Sequence, residues 1–442
     1  MFTYNKVFAK AKEENLEALE LTVSEDRNFS FSLFRGELDS YNISESKTVE
    51  ARGIYNGKVG FATSEKTDDS TVDYLVNHIK QNATLSDSSE AGVIFKGSEK
   101  YHKKNVYNKK LAETSPEEKI RLMKELDSAV KKESDLIKEV ELSYRESTSS
   151  TTLMNSYGLK LSSKANRAVV IVNAVAADEA GDMKSTFKFK ILGDLDELDI
   201  AETAKKVVEE TLKQFGSGPC ESGKYRCVFS PGAFSSLLGA FLQNLSSDLV
   251  QKNASMLAGK LGEKVASNKL TVFEKPLEKN VFFRYFDDEG VATYNKTLVK
   301  NGVAQTYLYN LKTGAKENKP STGNGYKNRG GQLGVGLVNV YVKAGSLTEE
   351  GLFEKAKNGV YITSLEGLHS GMNPQSGNYS LLAEGFMIRD GKLAEPLSLI
   401  TVAGNLFDTM NQIQAVGNNI EVTMSTHHVP SVLVKSISVS GK

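Results

Sequence analysis

Metal ligation and nucleophilic catalysis both need side chains that converge, so the residues to weigh first are the imidazoles and thiols. The chain of 442 residues has five histidines and two cysteines. His78 falls on a helical pattern with Asn82, not a second histidine, one turn later. His102 sits in the basic segment YHKKN, and His427 and His428 are adjacent on a predicted strand, where neighbours face opposite sides and do not share one ion. Cys220 and Cys227 bracket PCESGKYRC, a C-x6-C spacing with no second pair, and two free thiols are expected in a reducing compartment. His369 lies in GLHSGMNPQSGNYS with Glu366 and Asp390 as its only local acids. A surface or hydrogen-bonded imidazole is expected at every one of these positions. His369 keeps the strongest claim to a role, because functional residues concentrate on loops.

Nucleotide and nucleophile motifs are missing as well. GNGYKNRGG at 323–331 fits neither the dinucleotide fingerprint nor the phosphate loop, no Gly-Lys-Ser/Thr occurs, and no G-x-S-x-G elbow is present. The balance of 55 Lys plus Arg against 55 Asp plus Glu provides no global field for a polyanion, so nucleic acid is not an expected partner. MFTYNKVFAKAKEENLEALEL lacks the apolar stretch of a signal peptide. The longest nearly apolar run, AVVIVNAVAA at 168–177, is far below the ~18 residues of a membrane span. No membrane segment and a cytoplasmic location are the expectation.

The elements that would position any site follow from periodicity. A helix is expected over 4–15, then strands in EALELTVSED, NFSFSLFRGE, TVEARGIY and KVGFATSE, with turns at Arg35-Gly36 and Asn56-Gly57. Val72, Leu75, Val76 and Ile79 mark a covering helix over 68–83, and ATLSDSSEAG reads as loop. Ser115, Pro116 and Glu118 spell a helix start with a capping box, followed by an apolar stripe of Ile120, Met123, Leu126 and Val130. Strands are predicted near 137–147, 151–162, 166–177 and 183–192, with a turn at Asn155-Ser156-Tyr157-Gly158, and a helix over 199–215. GSGPCESGK at 216–224 is the clearest boundary. A strand and a helix near Pro231 come next, then short strands in GVATYNKTLVKNG, QTYLYNL, VNVYVKAG, GVYITSLEG, EGFMIRDGKL, LSLITVAG and PSVLVKSISVSG. The predicted fold is α+β. Two α+β units at about 1–85 and 110–216 make an N-terminal region 1–216, and a β-rich, partly barrel-like domain occupies 222–442.

Several long segments carry a resemblance. PSTGNGYKNRGG, GVYITSLEGLHSGMNPQSGNYSLLAEGFMIRDGKL, LITVAGNLFDTMNQI and PSVLVKSISVSG resemble, in order and spacing, the TldD/PmbA family of metallopeptidases, also called gyrase-modulator-like proteins. NFSFSLFRGELDSYNISESKTVEARGIYNGKVGFATS is similar to that family's first domain and MNSYGLKLSS to its middle segment. TldD-like members carry H-E-x-x-x-H on a helix and a later Cys as zinc ligands, the Glu serving as general base. In SSLLGAFLQNL, Gly239, Ala240 and Asn244 fall where His, Glu and His would stand, and no Cys follows Cys227. What the resemblance implies is therefore the PmbA branch, also called TldE. Such a chain has no catalytic residue or metal of its own, and the zinc is expected in a TldD-like partner.

The segment around His369 resembles the family's GxNPxSGxxS loop. It makes His369, Asn373, Pro374, Ser376, Gly377, Asn378 and Ser380 candidates for lining a substrate cleft by holding a tight turn. The expected function is that of a non-catalytic subunit helping to bind peptide in an extended form, with a homodimer as a further assembly. Leu381, Leu382, Phe386, Leu406, Phe407 and Met410 are the apolar residues that could face a partner. Two alternatives stand beside it: an autonomous peptidase with an atypical metal site, and a modulator of DNA gyrase acting through protein contacts.

Overall fold

The computed structural model describes residues 2–86, 92–328 and 331–442. By contacts the chain divides into two compact units. The first comprises Met1–Ala177, Ser185–Thr211 and Lys279–Ala292; the second comprises Asp178–Lys184, Leu212–Glu278 and Thr293–Lys442.

In the first unit the helices are α1 (Tyr4–Glu13), α2 (Asp69–Leu85), α3 (Lys109–Glu113), α4 (Pro116–Glu133) and α5 (Ile200–Leu212). Its strands β1 (Ala18–Phe34), β2 (Glu37–Tyr55), β3 (Lys58–Ser64), β4 (Ile137–Asn155), β5 (Lys160–Ala177) and β6 (Met183–Leu192) form one sheet in the order β3-β2-β1-β4-β5-β6. Arg35-Gly36 and Asn56-Gly57 all have positive φ, the paired conformation that two-residue hairpin turns require. EALELTVSED and NFSFSLFRGE are one strand, not two, because β1 stays in register with both β2 and β4 through its polar middle. For the same reason the predicted 137–147 and the start of 151–162 merge into β4, which ends in the expected turn at Asn155. In the loop predicted at 83–92, Ala83 to Leu85 complete α2, and 87–91 lie outside the described residues.

Helix α2 buries Val72, Leu75, Val76 and Ile79 against Leu19, Leu21, Val49 and Ala51 of the sheet. Asp68 caps it, accepting from the Thr71 amide at 3.2 Å. At α4, the Ser115 hydroxyl accepts from the Glu118 amide, but the Glu118 carboxylate turns to Arg121 and leaves the return arm of the box unmade. Met123, Leu126 and Val130 are buried as the stripe requires, whereas Ile120 sits at the rim and Lys119 points inward. Its ammonium lies 2.7 Å from Glu146, which also accepts from Tyr144 at 2.6 Å; a buried carboxylate without that cation would be costly.

The second unit contains α6 (Pro231–Gln243), α7 (Ser247–Gln251), α8 (Leu311–Lys316), α9 (Glu349–Ala356), α10 (Leu368–Gly371) and α11 (Leu406–Asn411). Its strands are β7 (Gly223–Phe229), β8 (Val272–Glu274), β9 (Lys296–Lys300), β10 (Val303–Ala304), β11 (Gly325–Lys327), β12 (Leu333–Val335), β13 (Val340–Val342), β14 (Gly359–Glu366), β15 (Asn378–Arg389), β16 (Lys392–Asn405), β17 (Ile413–Val416), β18 (Glu421–Val422), β19 (His427–Val429) and β20 (Val432–Ser440). The order β16-β15-β14-β7-β20, with β16 also pairing β20, closes a five-stranded barrel, and β17 adds to β20. A second sheet runs β10-β9-β8-β13-β19-β18. QTYLYNL forms no strand; Tyr307, Leu308 and Tyr309 are side chains of the core instead. Among the described residues no helix is long and apolar enough to cross a membrane.

Candidate functional site

Helix α6 follows β7 directly, and Ser230 fixes the junction: its hydroxyl accepts from the Ala233 amide at 3.2 Å and donates to the Thr363 carbonyl at 2.9 Å. Phe234, Leu237, Leu238, Phe241 and Leu242 are buried in the core of the unit. A different stripe, Ser235 and Gly239 one turn apart, faces β19. Ser235, only 2% exposed, has its hydroxyl 2.9 Å from His427 Nδ1 and 2.8 Å from the Thr423 hydroxyl. A Cβ placed on Gly239 would stand 3.3 Å from His427 Cε1, so the imidazole fills the ground next to the helix where a longer side chain would project.

His428 points the other way, as expected for neighbours on a strand: it stacks on Tyr341 with ring centroids 3.9 Å apart and meets Asn339 Oδ1 at 3.0 Å. Burial lowers the pKa of His427 to about 4. For His428 the value also falls to about 4, through burial first and then the charges of His427 and Lys275. Neutral rings are what these sites accommodate. The Ser235–His427 pair is not arranged for nucleophilic attack: the serine is enclosed, the imidazole is a weak base, and among the described residues no carboxylate hydrogen-bonds to it.

Asn244 caps the C-terminal end of α6, its side chain donating to the Ala240 carbonyl at 3.1 Å and accepting from the Met256 amide at 2.9 Å, while its carbonyl accepts from the Ser255 hydroxyl at 2.6 Å. Gly239 and Ala240 offer no donor atoms, and Asn244 is committed to the backbone. Among the described residues no group of three or more His, Cys, Asp or Glu could hold a metal ion. The residues present do not fit a zinc ion.

The loop after β14 is built by asparagines. Asn373 Oδ1 accepts from the amides of Gln375 and Ser376, both at 3.0 Å, and the Gly377 amide returns to the Asn373 carbonyl at 2.8 Å. Asn405, at the start of α11, donates to the Ser376 carbonyl and to Asn378 Oδ1 at 2.8 and 2.9 Å. Gly377 is at φ +72°, and a Cβ there would meet Met256 Cε at 2.4 Å. Asn244 and the 373–378 loop therefore meet through Met256, a contact between segments far apart in the chain that no local spacing records. Asn405 had only a cap-like AGNLFD context as a signal.

Pro374, Ser376, Asn378 and Ser380 are exposed beside this turn, and so is His369 on the short α10. Asp390, 21 residues on from His369, is carried by β15 to the far end of the barrel, where its amide meets Asn358. Of the apolar residues weighed as partner contacts, Leu381, Leu406 and Met410 are core, Phe386 and Phe407 are half-buried, and only Leu382, at 60%, is broadly exposed. Replacing Gly377 with Ala is expected to cost more than ~1 kcal/mol, by backbone strain and the clash with Met256. Asn373→Ala should lose about 1 kcal/mol with the turn. Urea midpoints of the two variants check both.

With this geometry in place, comparison with known proteins is decisive. Three family models match in series: PmbA/TldA metallopeptidase domain 1 at 19–83, the central domain at 109–215 and the C-terminal domain at 222–441. The chain belongs to the TldD/PmbA metallopeptidase family. It is 27% identical to a metalloprotease of Methanothermobacter thermautotrophicus over 93% of this chain and 90% of that one. It is also 27% identical to the metalloprotease PmbA of Escherichia coli, covering 75% of this chain and 71% of that one. A solved structure from Thermotoga maritima, described as a candidate modulator of a DNA gyrase, superposes with a TM-score of 0.90 at 29% identity over 99% of each chain. For this TldD/PmbA member, then, the family's three domains run from 19 to 441, and within the C-terminal one α6 is packed against His427.

Proposed function

We propose that this chain is a PmbA-like, cytosolic subunit of a TldD/PmbA peptidase, non-catalytic by itself, that works with a zinc-bearing TldD-like homologue on peptides. The observation that carries the reading is the face of α6: where a metal and its base would need space and donors, the structure has Gly239, Ala240 and the ring of His427. An enclosed neutral imidazole and a capping amide stabilise a helix; they do not activate water.

A role in holding an extended peptide has support beside that helix. Strand β18 ends its sheet, and Ile420, Val422 and Met424 at every second position are 42%, 36% and 58% exposed. Only Val422 of the three lies on the two-residue β18, with Ile420 and Met424 flanking it; an open edge with exposed apolar side chains beside it is what a peptide adding as a further strand would meet. The test is to mix the purified chain with a TldD-like homologue from the same source and follow size and peptidase activity together. A stable heteromer whose activity exceeds that of either chain and is abolished by a chelator is expected. A homologue fully active alone, with this chain staying apart, would remove the reading.

A second reading rests on the description of the Thermotoga relative as a gyrase modulator. It predicts direct capture of gyrase by the immobilised chain. Supercoiling rates unchanged by a large excess of the chain, with no capture, would exclude it.

A further inference from the structure

The barrel has two ends, and the site above occupies one. At the other, where β7, β14 and β16 begin and β15 finishes, lies a cavity of about 900 Å³. Five internal cationic side chains border it, Lys224, Arg226, Lys357, Arg389 and Lys435, against two carboxylates, Glu221 and Glu395. Leaving the terminal Lys442 aside, five minus two gives a local charge of +3 in a chain whose total is 0.

Two of the five are committed. Arg389 Nε donates to both Glu395 oxygens at 3.0 and 2.9 Å, and Arg226 reaches the Lys355 and Ala356 carbonyls that end α9, at 3.4 and 3.3 Å. Lys224, Lys357 and Lys435 are exposed and form no ion pair among the described residues. The lining also includes Tyr225 and Pro396, half-buried, and Met387 and Leu397, buried.

We propose that this cavity is a docking site for an acidic peptide segment, whose carboxylates meet Lys224, Lys357 and Lys435 while an apolar side chain rests on the half-buried Tyr225 and Pro396. Charge complementarity selects the occupant. A concave wall concentrates the field of the three free ammonium groups, which a neutral chain would not otherwise present. Tyr225 and Pro396 give a leucine-sized side chain an apolar contact that inorganic phosphate cannot use.

The experiment uses the full chain and a fluorescent eight-residue peptide of alternating Glu and Leu, read by anisotropy. Saturable binding is expected, weakening about tenfold between low and moderate salt as the charges are screened. The variant K224E/K357E/K435E should lose at least about tenfold in affinity, and a Lys-Leu peptide of the same length should not bind. The three lysines are exposed, so the variant should melt like the parent; should it not, K357E alone carries the test with an expected loss of about threefold. Equal affinity in the charge-reversed chain, or displacement of the peptide by inorganic phosphate or a single-stranded oligonucleotide at equal charge concentration, would overturn the proposal.

Discussion

Purified alone, the chain is expected to carry far less than one zinc per polypeptide and to hydrolyse no peptide, and grafting the missing motif should not change that. In Gly239→His/Ala240→Glu/Asn244→His the three new side chains arrive without a third ligand or the outer contacts that orient imidazoles on a metal. They also disturb what is there. At 239 even a Cβ stands 3.3 Å from His427, and a full imidazole needs the volume that ring occupies, an overpacking worth ~1–3 kcal/mol. At 244 the Met256 amide loses its acceptor and Ser255 its neighbour's geometry, at a further ~1–3 kcal/mol. The graft should therefore melt well below the parent. Because the first penalty belongs to one contact, His427→Ala should be less harmful in the Gly239→His background than in the parent, a coupling that a double-mutant cycle measures. About one zinc per chain in the parent by elemental analysis, lost on changing His369, His427 or His428, would defeat this account.

Acid should weaken the second unit through the same histidine. His427 is neutral in the fold and holds off protonation until about pH 4, while the unfolded chain takes up the proton near 6.5. Above about pH 6.5 neither state binds it and the full stability is present. As the pH falls from there towards 4, the unfolded state binds more protons and stability is lost, by about 2–3 kcal/mol at pH 4.5 from this one group. His428 adds in the same direction. Urea unfolding at pH 7 and pH 4.5 gives the difference, and His427→Gln, which keeps a partner for Ser235, should shrink it by the amount assigned to His427. An unchanged difference in that variant would show that the acid sensitivity has another origin.

Much of the frame was legible because its causes are local. Arg35-Gly36 and Asn56-Gly57 specify tight hairpins within two residues, Asp68 and Ser115 announce helices within one turn, and the α2 stripe follows from helical spacing. Where the structure departs from the local pattern, a distant partner overrules it. Glu146 draws Lys119 inward past Ile120, and β2 and β4 hold β1 straight through residues that look like a break.

At the candidate site, residue types alone show which chemistry is out of reach: no imidazole or carboxylate at 239 and 240, an amide at 244, and no thiol after Cys227. Residue type alone settles that, since no fold supplies a donor atom that the side chain lacks. What surrounds these positions depends on long-range packing. His427 meets Gly239 because β19, hydrogen-bonded to β13, runs alongside α6, and Met256 locks Asn244 to the Gly377 turn. Barrel closure through β16 and β20, and with it the gathering of Lys224, Lys357 and Lys435 at one end, is likewise a matter of strand register between segments far apart in the chain, which no local spacing records.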